Sequence, residues 1–359
     1  MKKHILSLAV LVGCITLILF SAGAEEGGKS ALELCFRVII PGLFPFMVLS
    51  NLFLKTGGAT LFEKMAGKIT SRLFGLCGSA LLPVAGGIMS GYPVGAALTG
   101  EMVKRGDISR EEGERLLGFC NNPGPMFVMG SVAGMLGCGT YGGVNLWLSQ
   151  LLGAIAVGFI TGRGKPVSCT KKAEQISSRV GVSEITNSVK EGIRSIITVC
   201  GFVVFFAVFL GVLRQAGVYR LVASLIGVNE KTAQAALSGV LETTSGIAAA
   251  AKTALPMHIK LPFVSMLLGW SGLSVHMQVA AVTGGSGMNL KGYFRGKLLQ
   301  TVLAPMFTIC LMKILPVTVQ TAVTPAHVTV KLFTWAFVFT IVLSINFLLI
   351  FSTFSGNKK

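Results

Sequence analysis

Charge is scarce in this chain. Lys, Arg, Asp and Glu together make up 13% of its 359 residues, about half the ~25% of an ordinary soluble domain. Hydrophobic residues fill 52%, a balance that excludes a soluble globular fold of this size. Acidic residues are scarcer still, 14 against 31 basic ones. The formal charge of +17 resembles that of a nucleic-acid binder. The basic residues, however, sit at the edges of apolar segments and form no basic domain. Setting membrane topology is the reading they support, and no nucleic-acid partner is expected. The eight cysteines have no CxxC or other metal-ligand spacing. Most lie in apolar runs and read as small buried hydrophobes, so no metal site is expected. HExxH, GxSxG and P-loop patterns are missing as well, and no segment between the apolar runs is long enough for a separate catalytic domain. The chain does not read as an enzyme.

Long hydrophobic runs stand in place of these features. Spans of membrane-crossing length occur at 5–22, 34–54, 144–161, 196–213, 298–315 and 332–351, and further spans at 116–136 and 261–282 carry internal breaks. The first run follows Lys2 and Lys3 and precedes Ala22-Gly23-Ala24. It fits a signal peptide or a first span, and an uncleaved helix is the preferred reading. The expectation is an all-α polytopic membrane protein with about eight transmembrane helices.

The runs fall into two halves interrupted in the same order. Segment 41–58 lines up with 201–218, MSGYPVGAA (89–97) with TSGIAAAAK (244–252), and NNPGPM (121–126) with GWSGLS (269–274). Repeated halves broken at membrane depth mark a secondary transporter. Basic residues collect on the cytoplasmic side, which decides how 76–103 is placed. If it crossed the membrane, Lys104, Arg105, Arg110, Arg115 and every basic residue of 163–194 would lie outside. A re-entrant hairpin turning at Ser90-Gly91-Tyr92-Pro93 keeps them inside. The same reasoning makes 233–251 a second hairpin, entering from the opposite face and turning near 243–246. The plan is an N-terminal helix (1–31), a first repeat (32–162), a basic cytoplasmic linker (163–194), an inverted second repeat (195–315) and a C-terminal transmembrane helix with its tail (316–359).

Irregular backbone inside a bilayer is tolerated where it is buried in protein or lines a wet cavity, so the four interruptions should meet around one site. Isolated glycines there have a simpler use in close helix packing, but that does not account for the two amides and two prolines of 121–125. Freed N–H groups at broken helix ends suit a carboxylate. Ser90, Thr243, Thr244 and Ser245 offer hydroxyls, Asn121 and Asn122 offer amides, and Tyr92 and Trp270 could stack on a ring. Glu242 and His276 are ionisable at depth and are the candidates for coupling to a proton or Na+. Their structural alternatives are a shallow carboxylate facing water and a neutral imidazole packed between helices. No cofactor is expected.

PGLFPFMVLSNLF (41–53), SGYPVGA (90–96), GDISREEGERLLGFCNNPGPMFVMG (106–130) and ETTSGIAAA (242–250) carry a further signal. They resemble the Gate-domain membrane proteins, also called nucleoside-recognition proteins, and within that group the YlbJ-type stage V sporulation membrane proteins. The resemblance runs over about 32–313 and rests mostly on pattern in the second half. It departs from the family at 121–125, where two prolines stand in place of the usual one. The resemblance implies transport of dipicolinate (pyridine-2,6-dicarboxylate) from the mother cell toward the forespore. The protein would then sit in the outer forespore membrane, or the cell membrane, of a spore-forming bacterium. Its partners would be a small anionic substrate and the lipid bilayer, with a homo-oligomer left open. The alternatives are a carrier of nucleosides or other small metabolites and a non-transporting scaffold of spore assembly.

Overall fold

The computed structural model describes residues 2–56, 67, 68, 70–165, 182–315 and 317. The expected span at 332–351 and residues 166–181 of the linker lie outside these. Every regular element among the described residues is helical.

Helix α1 (Lys2–Leu19) and helix α2 (Ser21–Leu34) are separated only at Phe20. A π-helical turn, Cys35–Ile39, then carries α2 into α3 (Ile40–Lys55). Residues 25–30, polar between two apolar runs, are helical. Glu25 and Lys29 pair one turn apart, and Gly23 and Gly27 let α2 lie against the backbone at Gly211 and Ala207. Tertiary packing overrides the local polarity here.

Residues 70–74 are helical, and a 3-10 turn (Gly78–Ala80) then leads into α4 (Leu81–Ser90), which folds back at Gly91-Tyr92-Pro93 into α5 (Val94–Arg105). Gly91 takes φ 93° at the turn, a value that favours glycine. Helix α6 (Arg110–Cys120) opens with a capping box. In it Glu112 N–H donates to Ser109 Oγ, and the Glu112 carboxylate accepts from Ser109 N–H. Residues 121–124 are not helical. The chain then forms a π-helical segment (Met126–Val132), α7 (Ala133–Leu136) and α8 (Gly139–Gly162).

The second half begins with α9 (Val182–Gln215) and the short α10 (Val218–Ile226). A second hairpin follows, α11 (Glu230–Leu241) and α12 (Thr243–Ala251). It turns at Glu242, ahead of the expected 243–246, because those residues form the first turn of α12. Helices α13 (Met257–Trp270) and α14 (Gly272–Val282) are separated at Ser271 and Gly272, with φ of 75° and 74°. Helix α15 (Lys291–Leu311) is the last described helix. Both halves therefore run long helix, hairpin, broken helix, closing helix.

Among the described residues, four helices are long and apolar enough to cross a membrane: Ser21–Phe53, Gly139–Gly162, Val182–Gln215 and Met257–Val282. Their outer faces expose Phe159, Ile160, Ile197, Phe205 and Phe209, and α15 exposes Met306 and Ile309. An apolar surface of this extent belongs in lipid. The cysteines are not uniform. Cys35, Cys120 and Cys138 are buried, Cys14 and Cys310 are exposed, and Cys77 is disulfide-bonded instead of being a free buried hydrophobe.

Helix α15 fixes the relative level of the other elements. It runs alongside α6, where a methyl on Gly296 would lie 2.1 Å from Gly118 O. It runs opposite to α8, with Gly153 against Ala304 and Asn145 Nδ2 donating to Thr308 O at 3.4 Å. Gly269, just before the second break, lies against Gln300. The break at 121–124, the break at 271–272 and residues 297–301 therefore share one level, midway along the bundle. The hairpins reach that level from opposite ends. The first opens beside Gly162 at the end of α8, where Phe74 and Gly75 touch it. The second opens near the start of α13, where Lys260 Nζ donates to Ala251 O and Thr253 O, and packs on α7, ahead of the start of α8.

Candidate functional site

The tips and breaks meet through glycines that bring backbones into contact. A methyl on Gly87 would sit 1.8 Å from Cys120 O and one on Gly95 2.2 Å from it, so the first hairpin lies hard against the C-terminal end of α6. One on Gly91 would sit 2.7 Å from Gly124 N. Ser90 and Tyr92 are thereby set beside the 121–124 break. In the second half, a methyl on Gly272 would lie 2.8 Å from Thr243 Oγ1 and 2.9 Å from Thr243 N. That hairpin tip touches the second break in turn.

Between these pairs runs a buried polar network. Lys297 Nζ donates to Asn121 O at 3.1 Å and to Gln300 Oε1 at 2.8 Å. Gln300 Nε2 donates to Asn122 Oδ1 at 2.8 Å and to Gln150 O at 3.2 Å. Gln150 Nε2 donates to Ser265 O and Oγ at 2.9 and 3.0 Å, and Asn122 Nδ2 to Phe119 O at 2.7 Å. Side-chain amides of this kind join helices where no water competes. Helices α6, α8, α13 and α15 are tied together at the level of the breaks.

The aromatic wall lies beside it. His276 Nδ1 and Tyr293 OH are 2.8 Å apart, and the Trp270 ring meets His276 edge-on at a centroid distance of 4.2 Å. Trp270 Nε1 donates to Val240 O at 2.9 Å, which ties the second hairpin to this wall. Glu242 accepts Thr244 N–H at 3.0 Å and Ser245 N–H at 2.6 Å. Both carboxylate oxygens thus cap α12. Tyr92 packs against the buried cluster that contains Tyr293. Residues from both hairpin tips, both broken helices and α15 therefore share one centre.

The expected site residues divide by what they are committed to. Asn122 and Trp270 have their donors engaged, and Thr244 and Ser245 give their backbone N–H groups to Glu242. Ser90 Oγ, Tyr92 OH, Thr243 Oγ1, His276 Nε2 and both polar atoms of the Asn121 carboxamide are buried without a hydrogen-bond partner. Asn121 lies beside the Tyr293 hydroxyl but not in hydrogen-bonding geometry. Each such atom costs about 1–3 kcal/mol, and native proteins carry few of them. Here they gather where the hairpin tips meet the breaks.

No family profile matches this chain, and no solved structure does. The chain is similar to the sporulation integral membrane protein YlbJ of Bacillus subtilis (strain 168). The two are 28% identical over 325 residues, covering 83% of this chain and 80% of that protein.

Sequence reasoning missed Lys297, Gln300, Gln150 and Tyr293. It placed the basic residues at span edges and began the last span of the second half at residue 298, which left Lys297 in a basic edge with Lys291 and Arg295. In fact α15 starts at Lys291, and Lys297 is 0% exposed. The signal was the spacing of Tyr293, Lys297, Gln300, Thr301, Ala304 and Thr308, which recur at helical period on one buried face. On the side where the first hairpin opens, a cavity of about 370 Å³ lies between α3, α5, α9 and α14, lined by Asn51, Glu101, Lys104, Glu191 and Arg194 among others.

Proposed function

We propose that this chain is a secondary transporter acting in sporulation, moving dipicolinate from the mother cell toward the forespore across the outer forespore membrane. It is a carrier, not an enzyme, of Gate-domain type, with eight transmembrane helices, two re-entrant hairpins and an inverted repeat. The observation that carries this reading is the cluster of buried, unpartnered polar atoms where two hairpins from opposite ends meet two broken helices. A scaffold has no use for unsatisfied groups at its centre, whereas a binding site leaves them open for its ligand. The similarity to a sporulation membrane protein supplies the biological setting. The charged vestibule between α5 and α9 supplies an approach from the side of the basic linker.

In this mechanism the substrate meets the tips and breaks from one side. The two repeats then exchange conformations, and the hairpins, seated on glycine contacts, move as units. Ser90, Tyr92, Asn121 and Thr243 contact the substrate. Glu242 and His276 are the places for a coupling proton or Na+. The test is uptake of labelled dipicolinate by liposomes containing the purified protein, with uridine as competitor. Saturable dipicolinate uptake indifferent to uridine is expected. Uptake of uridine would make it a nucleoside carrier, and uptake of neither would favour the scaffold.

A further inference from the structure

We infer that Lys297 recognises a carboxylate of the transported substrate and makes this centre selective for organic anions. The inference deepens the transport reading above and rests on it. Lys297 is 0% exposed at the level of the breaks. Its ammonium has three N–H donors, and its two partners, Asn121 O and Gln300 Oε1, are both neutral oxygens. Among the described residues no carboxylate stands within ion-pairing distance of it. Glu242, the acidic residue of the centre, is held against the α12 backbone by both oxygens. Ionised, Lys297 lacks a counter-charge, which is costly, and an ionisable group placed so inside a membrane marks a substrate or ion pathway. A bound carboxylate supplies the missing charge.

The surroundings suit that ligand. Asn121, whose backbone carbonyl Lys297 holds, carries an unpartnered Nδ2 donor, and His276, paired with Tyr293 one turn before Lys297 on α15, carries an unpartnered Nε2. Ser90 Oγ and Tyr92 OH at the first hairpin tip add two more open groups. An ammonium with amide and hydroxyl donors around it matches a carboxylate through charge-assisted hydrogen bonds. The competing role for Lys297 is to cap the C-terminal end of α6, since a cation there offsets the helix dipole.

Lys297→Gln separates the two roles, because a glutamine amide keeps N–H donors for Asn121 O and Gln300 while removing the charge. Binding of dipicolinate, its neutral diamide and phthalate is measured by calorimetry on the full-length protein in lipid nanodiscs. The wild-type protein is expected to prefer dipicolinate over the diamide at least tenfold. Lys297→Gln should weaken dipicolinate by roughly tenfold to a hundredfold, the worth of one charge-assisted bond, and leave the diamide unchanged. Lys297→Arg should retain most of the preference. Equal wild-type affinity for acid and diamide overturns the inference without any variant. So does a folded Lys297→Gln that binds dipicolinate like the wild type, or one that loses both ligands alike. Lys297-dependent binding of phthalate without dipicolinate would remove the substrate proposed above and keep this inference. Binding of none of the three removes both.

Discussion

Glu242 takes both of its oxygens to the N-terminal end of α12, accepting the amides of Thr244 and Ser245. Loss of an N-cap costs about 0.5–2 kcal/mol. At membrane depth the upper end applies, because freed amides find no water there. Glu242→Ala is therefore expected to lower the melting temperature of the detergent-solubilised protein, with Glu242→Gln, which keeps one acceptor, falling between it and the wild type. A coupling role shows itself separately. Glutamine cannot ionise, so the dependence of uptake on pH or Na+ should disappear in Glu242→Gln if this carboxylate binds the coupling ion. A lowered melting point with an unchanged pH and Na+ profile would leave Glu242 as a cap alone.

The hairpins hold their place by backbone contact through glycine. A methyl on Gly87 would meet Cys120 O at 1.8 Å, and Gly95 fixes the same carbonyl from the other arm. Neither α4 nor α6 can shift to make room. Gly87→Ala should therefore cost more than the usual 1–3 kcal/mol of overpacking and abolish the monodisperse peak in size-exclusion chromatography. Gly130→Ala is the control, since nothing lies within 4 Å of its Cβ position. This element scale was the most legible in the sequence. Ser90-Gly91-Tyr92-Pro93, Asn121–Pro125 and Ser271-Gly272 stand out because glycine, proline and amides interrupt apolar runs for few other reasons. Glu242 was legible as a group at the tip but not as the cap that ends the turn, since capping depends on a backbone angle and not on composition. Lys297 was not legible by hydropathy, because a lysine at the margin of an apolar run looks like an anchor. Only the helical spacing of its buried polar neighbours on α15 distinguishes it.

Across the whole molecule, the two halves place matching elements at one level and open their hairpins at opposite ends of α8. The proposed alternating access requires such an arrangement, with one way to close the centre from each side. It also fixes which surface residues face which side of the membrane. Glu111, at the start of α6 beside the first hairpin's open end, and Lys231, at the start of α11 where the second hairpin opens, are both exposed. Each can carry a cysteine without the strain that Gly106 would impose, since Gly106 holds φ 76°. The basic residues at the first opening, Lys104, Arg105 and Arg110, put it in the cytoplasm by the positive-inside rule. In a variant lacking the other cysteines, Glu111→Cys is expected to react with a membrane-impermeant maleimide only after the cells are opened. Lys231→Cys should react in intact cells. Labelling of both from the same side would mean that one hairpin crosses the membrane, and the inverted repeat, with the alternating-access mechanism built on it, would have to be abandoned.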